Sequence, residues 1–524
     1  MRIWVLLLSL LISSPVFAEI KWERYDFFEN SGGLNDGFSQ IAVGDKEASD
    51  LQNVVFTTSG SFKTRDGYDR LSDPRVTGTT LQSSISANGL RYFKPTSGSE
   101  FIVGVFSNDS IKKMDYGSSG PDGTWDDITG ALSFSASANN LATFALGQDT
   151  LIIEDGIGTT SPYKWTGTGD VVYLQGNAPT ATIVAYHKRM AFAAGSSTNP
   201  STLYFTDVGD IENWDTGLSG NVSVETNDGS VIRALVPGFD ALYIFKDKSI
   251  WRLTGDDKDT FVLQRMVSDL GVTSPNAVSL IGNEFIFTSS QGNVYIYDGS
   301  IGVKLISSKI DGTLEAANFD RFQYVASTVF DDDYYLAISS SGSDAHDILM
   351  VYDTFNEGWT KFVGIKANAL AVADNGSGED MLIFGDYLGY VYNYPDGTND
   401  DGRAISSSYI TKQYRFPESG TIKDWRLLRV FAAQKGSYNL SVETRSDFIA
   451  SGTIHSIALD GSGSLWGTAV YGVDSYGGEN VIVGRLEVND ADADFFQIKF
   501  SNSSIDQPIE VRGWQVFIES QDKI

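Results

Sequence analysis

The sequence of 524 residues contains no cysteine, three histidines and few basic residues. A cysteine-free chain forms no disulfide, and it suits either an oxidising or a reducing compartment. His187, His346 and His455 have no paired-ligand spacing, which disfavours a metal enzyme. The formal net charge is −29, from 38 Lys and Arg against 67 Asp and Glu. A chain this acidic cannot rely on neutralising phosphates, so we expect no tight nucleic-acid binding. We also expect no cofactor and no metal, because the sequence carries no clear motif for either.

Long apolar runs are also absent, since no stretch reaches the roughly 20 residues that a transmembrane helix needs. The start of the chain is the nearest case. Arg2 precedes the apolar run 3–12, and small residues stand at Val16 and Ala18. This pattern predicts a secretory signal peptide over residues 1–18, cleaved after Ala18. The alternative is a short apolar N-terminus on a protein made in the cytoplasm.

The residues that are abundant favour an all-β fold, because aromatics make up 12% of the chain and 53 glycines supply tight turns. A weak internal repeat supports this, with seven hairpin-like units recurring about every 47 residues, close to the period of propeller blades. The units pair 101–105 with 111–116, 151–154 with 163–165, 191–194 with 203–206, 241–245 with 250–253, 285–288 with 294–297, 335–338 with 348–352, and 382–384 with 390–394.

This repeat predicts a β-propeller of about seven blades, because radially packed four-stranded sheets bury both faces of each hairpin. Gln291-Gly292, Asp298-Gly299 and Asp396-Gly397 offer the positive φ that tight turns require. Several units end in a tryptophan that we expect to fill a wedge between blades. These tryptophans are Trp125, Trp165, Trp251 and Trp359.

The pattern changes at Asn399–Gly402, where a polar segment separates two differently patterned regions. We predict an N-terminal extension over 19–75, the propeller over 76–404 and an antiparallel β-sandwich over 405–524. One short helix is expected within 311–319.

An N-terminal hairpin precedes the first blade. Residues 54–57 and 61–64 alternate across a turn, and Gly67 permits a sharp bend. We predict that the strand pair within 51–71 completes the last blade and closes the ring.

Three segments near the N-terminus carry a resemblance to a known family. Residues 30–35 read Asn-Ser-Gly-Gly-Leu-Asn, residues 48–54 read Ala-Ser-Asp-Leu-Gln-Asn-Val, and residues 60–68 run from Gly to Tyr through Arg65 and Gly67. In this order the segments resemble the opening of β-propeller tail hub, or nozzle, proteins of short-tailed double-stranded-DNA phages. These proteins are also described as packaged-DNA stabilisation proteins. The resemblance extends over residues 22–524.

The resemblance implies a non-catalytic virion protein in the phage tail, whose copies form an oligomeric ring that is hexameric in that family. The ring would lie below the portal and adaptor, beside other tail proteins, and would help to close or conduct the DNA exit channel. The residues that carry the motif are read as structural. They are Gly32, Gly33, Leu34, Asn35, Asn53, Gly60, Arg65 and Gly67.

Carboxylates offer the remaining candidates for chemistry. Asp490, Asp492 and Asp494 alternate, so an extended chain would place them on one side, where they are weak candidates for a bridging cation. A solvated acidic turn is the preferred interpretation, and the acidic clusters at 331–333 and 399–401 are interpreted as exposed loop tips. The repeat signature of propeller sialidases, Ser-x-Asp-x-Gly-x-Thr-Trp, is absent. Residues 122–125 come nearest to it, but Asp122 stands where the signature needs glycine.

The signal-like N-terminus leaves an alternative function open. A secreted or periplasmic β-propeller that binds or hydrolyses glycans would need such a segment, whereas a virion protein has no evident use for it.

Overall fold

The computed structural model describes residues 22–71, 85–117, 120–134, 136–225, 228–300, 302–415, 423–460 and 481–520. The predicted signal segment, 1–18, lies outside these residues. Within them the regular structure is almost all β-strand. The N-terminal strands are β1 (Trp22–Phe27), β2 (Ala48–Gln52), β3 (Val54–Phe56), β4 (Phe62–Thr64) and β5 (Asp69–Arg70).

Seven four-stranded antiparallel sheets follow in the described residues, numbered sheet 1 to sheet 7 along the chain. Sheet 1 comprises β6 (Ala87–Phe93), β7 (Phe101–Phe106), β8 (Ser110–Gly117) and β9 (Gly120–Asp127), and sheet 2 comprises β10 (Thr143–Gly147), β11 (Thr150–Glu154), β12 (Tyr163–Trp165) and β13 (Val172–Tyr173). Sheet 3 comprises β14 (Ile183–His187), β15 (Met190–Ala194), β16 (Thr202–Phe205) and β17 (Gly220–Ser223). Sheet 4 comprises β18 (Ile232–Gly238), β19 (Ala241–Lys246), β20 (Ser249–Thr254) and β21 (Val262–Ser268).

Sheet 5 comprises β22 (Val278–Ile281), β23 (Glu284–Thr288), β24 (Val294–Tyr297) and β25 (Val303–Leu305). Sheet 6 comprises β26 (Ala326–Phe330), β27 (Asp333–Ile338), β28 (Ile348–Asp353) and β29 (Gly358–Val363). Sheet 7 comprises β30 (Ala369–Asp374), β31 (Asp380–Gly385) and β32 (Val391–Tyr394) together with the N-terminal strand β5. Between sheets 5 and 6, the predicted short helix is confirmed as α1 (Asp311–Glu315), flanked by 3₁₀ turns at Ser308–Ile310 and Phe319–Tyr324.

All seven predicted hairpins are confirmed as antiparallel pairs, and each forms the two middle strands of one sheet. Their residues are mostly buried because each sheet is covered on both faces by its neighbours. The predicted turn glycines Gly292, Gly299 and Gly397 have φ of 87°, 80° and 67°. The alternating apolar pattern therefore identified the best-buried strands.

Two-residue turns join the first and second strands of several sheets. Consecutive non-glycine residues have positive φ in four of these turns, as type I′ hairpins require. We call the face of the molecule that carries these turns the turn face. The four turns are Gln148-Asp149, Lys188-Arg189, Phe239-Asp240 and Asp331-Asp332.

The sheets are arranged in a propeller-like ring. The first strands of successive sheets contact each other from β10 to β30, and β30 contacts β6. The remaining neighbours, β6 and β10, are linked where the Ala142 amide donates to the Asn88 carbonyl, 3.0 Å away. Each sheet thus packs between two neighbours, which removes most exposed edges.

The strand that completes sheet 7 is not part of the predicted hairpin. β5 pairs with β32, with Arg70 opposite Tyr392 and Asp69 opposite Asn393. The hairpin β3–β4 instead adds to a C-terminal sheet, where Lys63 lies opposite Glu510. The expectation that this hairpin closes the ring is therefore wrong, although a strand from the same interval, 51–71, supplies the fourth strand.

The C-terminal strands form two further sheets together with the N-terminal strands. Sheet A has the order β3-β4-β39-β34-β37, with β1 also on β39, and sheet B has the order β2-β33-β38-β35-β36. The expected sandwich of residues 405–524 alone is thereby corrected, since four strands come from residues 22–64. The strands are β33 (Ser407–Thr411), β34 (Lys423–Ala433), β35 (Asn439–Ser446), β36 (Thr453–Ala458), β37 (Val481–Ala493), β38 (Phe496–Asn502) and β39 (Glu510–Ser520).

Aromatic side chains fill the space between sheets A and B. Trp425 stacks on Phe496 with ring centroids 4.4 Å apart, and Phe62 stacks on Tyr409 at 4.2 Å. These pairs join β34 to β38 and β4 to β33, so each crosses from one sheet to the other. Buried aromatic pairs of this kind contribute about 0.5–1.5 kcal/mol beyond their area.

The four tryptophans that were expected between blades differ in their surroundings. Trp165 of sheet 2 packs on Phe101 of sheet 1 at 4.9 Å, which confirms a position between sheets. Trp359 is buried, and its indole N–H donates to the Ile306 carbonyl. Trp125 and Trp251 are only half-buried.

Candidate functional site

A central channel runs between the first strands of the seven sheets. Its volume is about 570 Å³, and every one of β6, β10, β14, β18, β22, β26 and β30 contributes to its wall. Hydrogen bonds between neighbouring strands stiffen this wall. Ser279 and Ser327 hydroxyls lie 2.9 Å apart, and the Asn368 side chain donates to the Ala87 carbonyl at 2.8 Å.

The described channel lining carries one charged side chain, Arg91. Leu146 and Leu280 are 39% and 40% exposed, so part of the wall is apolar. Arg91 is reached by solvent, yet it lies deep within the molecule, and this burial lowers the pKa of its guanidinium. The channel therefore combines apolar and neutral polar surface with a single cation.

The N-terminal motif forms a junction between sheet 6 and sheet B. Gly33 has φ of 85°, and a Cβ there would lie 2.5 Å from the Trp359 amide nitrogen, so only glycine fits. The next residue, Leu34, is fully buried and donates its amide to the Trp359 carbonyl. Asn35 donates its side-chain amide to Glu47 at 2.6 Å. Gly32 also lies within this junction, because its amide donates to the Lys46 carbonyl.

Asn53 and Arg65 form the centre of a second, buried part of the junction. Asn53 adopts φ of 53°, and its side-chain oxygen accepts from Arg65 Nε at 3.0 Å and from the Val363 amide at 2.8 Å. Its side-chain nitrogen donates to the Ser406 carbonyl. One asparagine thus connects the N-terminal segment, sheet 6 and the segment that enters sheet B.

Arg65 is fully buried and forms a bidentate ion pair with Asp400, at 2.8 and 2.6 Å. Asp401 lies 2.7 Å from Arg70. The expectation of an exposed acidic tip at 399–401 is therefore wrong, because Asp400 is buried and Asn399 and Asp401 are half-buried. The sequence alone did not suggest this ion pair, because Arg65 lies 335 residues before Asp400 in the chain.

The two remaining motif glycines occupy close approaches. Gly60 has φ of 81° in the β3–β4 turn, and its carbonyl accepts from the Asn30 amide. At Gly67 a Cβ would lie 2.0 Å from the Asn399 carbonyl oxygen. All eight predicted motif residues therefore lie on the path from β1 to β5.

The three histidines lie in separate places. His346 is buried; its Nδ1 lies 2.9 Å from the Ser339 hydroxyl and its Nε2 lies 2.9 Å from the Tyr324 carbonyl. Burial lowers the pKa of His346 to about 4. His187 ends β14, and burial lowers its pKa as well. His455 lies on the edge strand β36.

The structure describes the three acidic candidates only in part. Asp490 and Asp492 belong to β37, where their side chains are not described, and the Asp494 amide donates to Asp447. The described residues hold no group of three or more His, Asp or Glu side chains placed to bind a metal ion. At 331–333, Asp331 and Asp332 are exposed. Asp333 is half-buried, and burial raises its pKa to about 7.

Two buried ionisable groups escaped sequence reading. Glu154 is fully buried at the end of β11, and neither of its carboxylate oxygens has a hydrogen-bond partner among the described residues. Burial, with the adjacent Asp155, raises the pKa of Glu154 well above its usual range. Lys246 is fully buried and donates to both Asp228 oxygens at 2.9 Å. The sequence offered only one signal of their burial, which is that each charged residue ends an apolar strand.

Among the described residues no helix has the length and apolarity needed to cross a membrane. The sialidase-like segment containing Asp122 lies on β9, the outermost strand of sheet 1.

No protein-family model matches the chain, and no curated protein matches it. Solved structures that resemble it include YCF48 from Cyanidioschyzon merolae, with 10% identity, a TM-score of 0.37, and coverage of 62% of this chain and 98% of that one. The Pan2 WD40 domain of Neurospora crassa has 9% identity, a TM-score of 0.38 and coverage of 65% and 98%. The N-terminal domain of Nup159 has 13% identity, a TM-score of 0.41 and coverage of 65% and 97%. Similarity this low carries no argument about function.

Proposed function

We propose that this chain is a non-catalytic virion protein, a phage tail hub or nozzle that assembles into an oligomeric ring. In this proposal the seven four-stranded sheets are the blades of a propeller, and sheets A and B form a β-sandwich at its side. The ring contacts the portal or adaptor and other tail proteins. It helps to close or conduct the DNA exit channel.

The observation that carries the proposal is the path of the N-terminal motif. The three segments that carry the resemblance lie within residues 30–68, and turns in them make contacts with distant parts of the chain. Gly33 lies against Trp359, Arg65 pairs with Asp400, and β5 completes sheet 7. Such non-local connections suit a closed ring of blades, because they leave few strand edges exposed.

The excess of acidic residues suits a conduit for DNA. Exposed carboxylates lie on the turn face. Asp240 and Asp256 are 86% and 81% exposed and both pair with Lys188, whereas Asp331 and Asp332 are exposed and form no ion pair with a described residue. An acidic wall repels the duplex and lets it slide, whereas a basic wall would hold its phosphates. We therefore propose that acidic side chains line the channel of the ring and that closure is steric, by loops or a partner plug.

Two observations test this function. A terminase, portal or adaptor gene beside the coding gene supports the hub, whereas neighbouring transport or polysaccharide genes contradict it. In a binding assay at low salt, the purified chain should show no tight, sequence-independent affinity for duplex DNA. Tight binding would refute the repulsive channel even if a ring forms.

One observation favours the alternative of a secreted or periplasmic propeller that binds glycans. Five polar residues lie in register across all five strands of sheet B: Gln52, Ser408, Ser501, Ser441 and Ser456. With strands about 4.8 Å apart, this row spans roughly 19 Å. Most of it lines a groove of about 750 Å³. Serine hydroxyls both donate and accept, as the hydroxyls of a neutral sugar chain do.

Affinity electrophoresis in gels cast with neutral polysaccharides tests this alternative. A glycan-binding groove predicts that the native chain is retarded and that Ser501→Tyr, which fills the row, is not. The control Ser377→Tyr places the same side chain on an exposed loop of sheet 7. Equal mobility of all three proteins in every polysaccharide would refute glycan binding at this row.

A further inference from the structure

A groove of about 1010 Å³ opens on the turn face between sheets 5 and 6. Its walls come mainly from four turns, which join β22 to β23, β24 to β25, β26 to β27 and β28 to β29. Ile281, Ile296 and Val303 are half-buried in its lining. The groove is therefore wide, mostly apolar inside and open to solvent.

Phe355 stands at the mouth of the groove with 75% of its surface exposed, more than any other large apolar side chain in the described residues. The turn that presents it is held by hydrogen bonds. The Asn356 amide donates to Asp353 at 2.8 Å, and the Thr354 hydroxyl donates to the Asp332 carbonyl at 2.8 Å. A rigid, exposed aromatic ring is a low-entropy contact for a partner.

Carboxylates surround the apolar lining. Glu284, Asp332 and Glu357 are exposed in the groove, as is Asp298, and none of the four forms an ion pair with a described residue. Lys304 is the single cation among the described lining residues. Unpaired charges of one sign around an apolar floor attract a cationic partner and disfavour an acidic one.

We propose that this groove docks a cationic segment of a partner polypeptide, with an apolar residue between arginines or lysines. The apolar residue enters beside Ile296 and Val303, while the flanking cations meet the four carboxylates. An arginine can also stack on Phe355, because guanidinium groups pack well on aromatic faces. The volume lies at the upper end of the range for small-ligand pockets, which fits a peptide segment better than a small ion.

The test is fluorescence anisotropy at 150 mM salt, with a labelled peptide in which arginines alternate with leucines as the probe. The triple variant Glu284→Gln/Asp332→Asn/Glu357→Gln should bind the peptide about ten-fold more weakly than the native chain, because it removes three groove charges. Phe355→Ser should also weaken binding, with the carboxylates intact.

A matched triple variant, Asp259→Asn/Asp344→Asn/Glu379→Gln, removes the same charge from exposed loops of sheets 4, 6 and 7, where none of the three carboxylates forms an ion pair with a described residue. It should change affinity less than about two-fold. Absence of binding by the native chain overturns the proposal, as does equal weakening by both triple variants, which would show attraction by net charge alone. Stoichiometric binding of a second copy of this chain that Phe355→Ser abolishes would also overturn it, by assigning the groove to self-association.

Discussion

Arg65 and Asp400 form a bidentate ion pair, at 2.8 and 2.6 Å, across 335 residues of chain. Arg65 also donates to Asn53 and lies over the Phe362 ring, 5.4 Å from its centroid. The pair joins the N-terminal segment to the polar segment that follows sheet 7. Because both groups are buried, each depends on the other to offset the cost of leaving water.

Arg65→Met should destabilise the folded chain by about 3–5 kcal/mol, since it leaves the Asp400 carboxylate buried without its cation. Chemical denaturation measures the free energy of unfolding. The control is Arg24→Met, which removes an exposed ion pair with Asp26 and should cost less than about 1 kcal/mol. Equal losses in the two variants would contradict the structural importance of the buried pair.

Cysteine pairs test the corrected closure of the ring, and the absence of native cysteine makes the experiment clean. Asp69→Cys/Asn393→Cys should form a disulfide under mild oxidation, because these positions are opposite each other on β5 and β32. Lys63→Cys/Glu510→Cys should do the same on β4 and β39. Mobility on a non-reducing gel reports each crosslink.

The control pair Asp69→Cys/Glu510→Cys joins positions on different sheets and should not crosslink within one chain. Crosslinking of Lys63→Cys to Asn393→Cys, in place of Glu510→Cys, would restore the original expectation that the hairpin closes the ring.

Glu154 should make the chain less stable as the pH rises. Burial raises its pKa in the folded state well above the ordinary value of 4.5, so the folded chain holds a proton that the unfolded chain releases. Stability is therefore lost progressively as the pH rises above about 4.5. Glu154→Gln should remove this loss and be more stable than the native chain at pH 8, in thermal unfolding from pH 4 to pH 9. An unchanged profile would contradict a protonated Glu154, and the exposed Glu379→Gln serves as control.

His346 should act in the opposite direction. Its pKa falls from 6.5 to about 4 in the folded state, so the unfolded chain takes up a proton first as the pH decreases. The stabilising contribution is present above pH 6.5 and is lost as the pH falls toward 4, by roughly 3 kcal/mol in total. His346→Gln should flatten this part of the profile. Nuclear magnetic resonance titration gives a direct check, and an imidazole pKa near 6.5 would contradict the buried neutral ring.

The sequence was a good guide to the middle strands and a poor one to their partners. Strands such as Ala241–Lys246 are buried on both faces, so their apolar pattern is strong. Outer strands are not buried on both faces, so their apolar pattern is weak. Val172 and Tyr173 of β13, for example, are both exposed. The β3–β4 hairpin was recognised from local alternation, but its pairing with Glu510 depends on contacts that no local pattern encodes.

Buried polar groups at the candidate sites were the least predictable. Asp400 lies in a run of polar residues that is typical of an exposed loop, and only the position of Arg65 makes its burial favourable. The groove between sheets 5 and 6 likewise arises from four turns that are separate in the sequence.

Electron microscopy of the purified chain, residues 19–524, tests the central proposal most directly. A tail hub predicts closed rings of a fixed number of copies, with six as the expected number, and acidic side chains facing the lumen. A population of single particles the size of one chain, unchanged when the candidate portal or adaptor partner is added, would contradict the assignment of this protein to a phage tail.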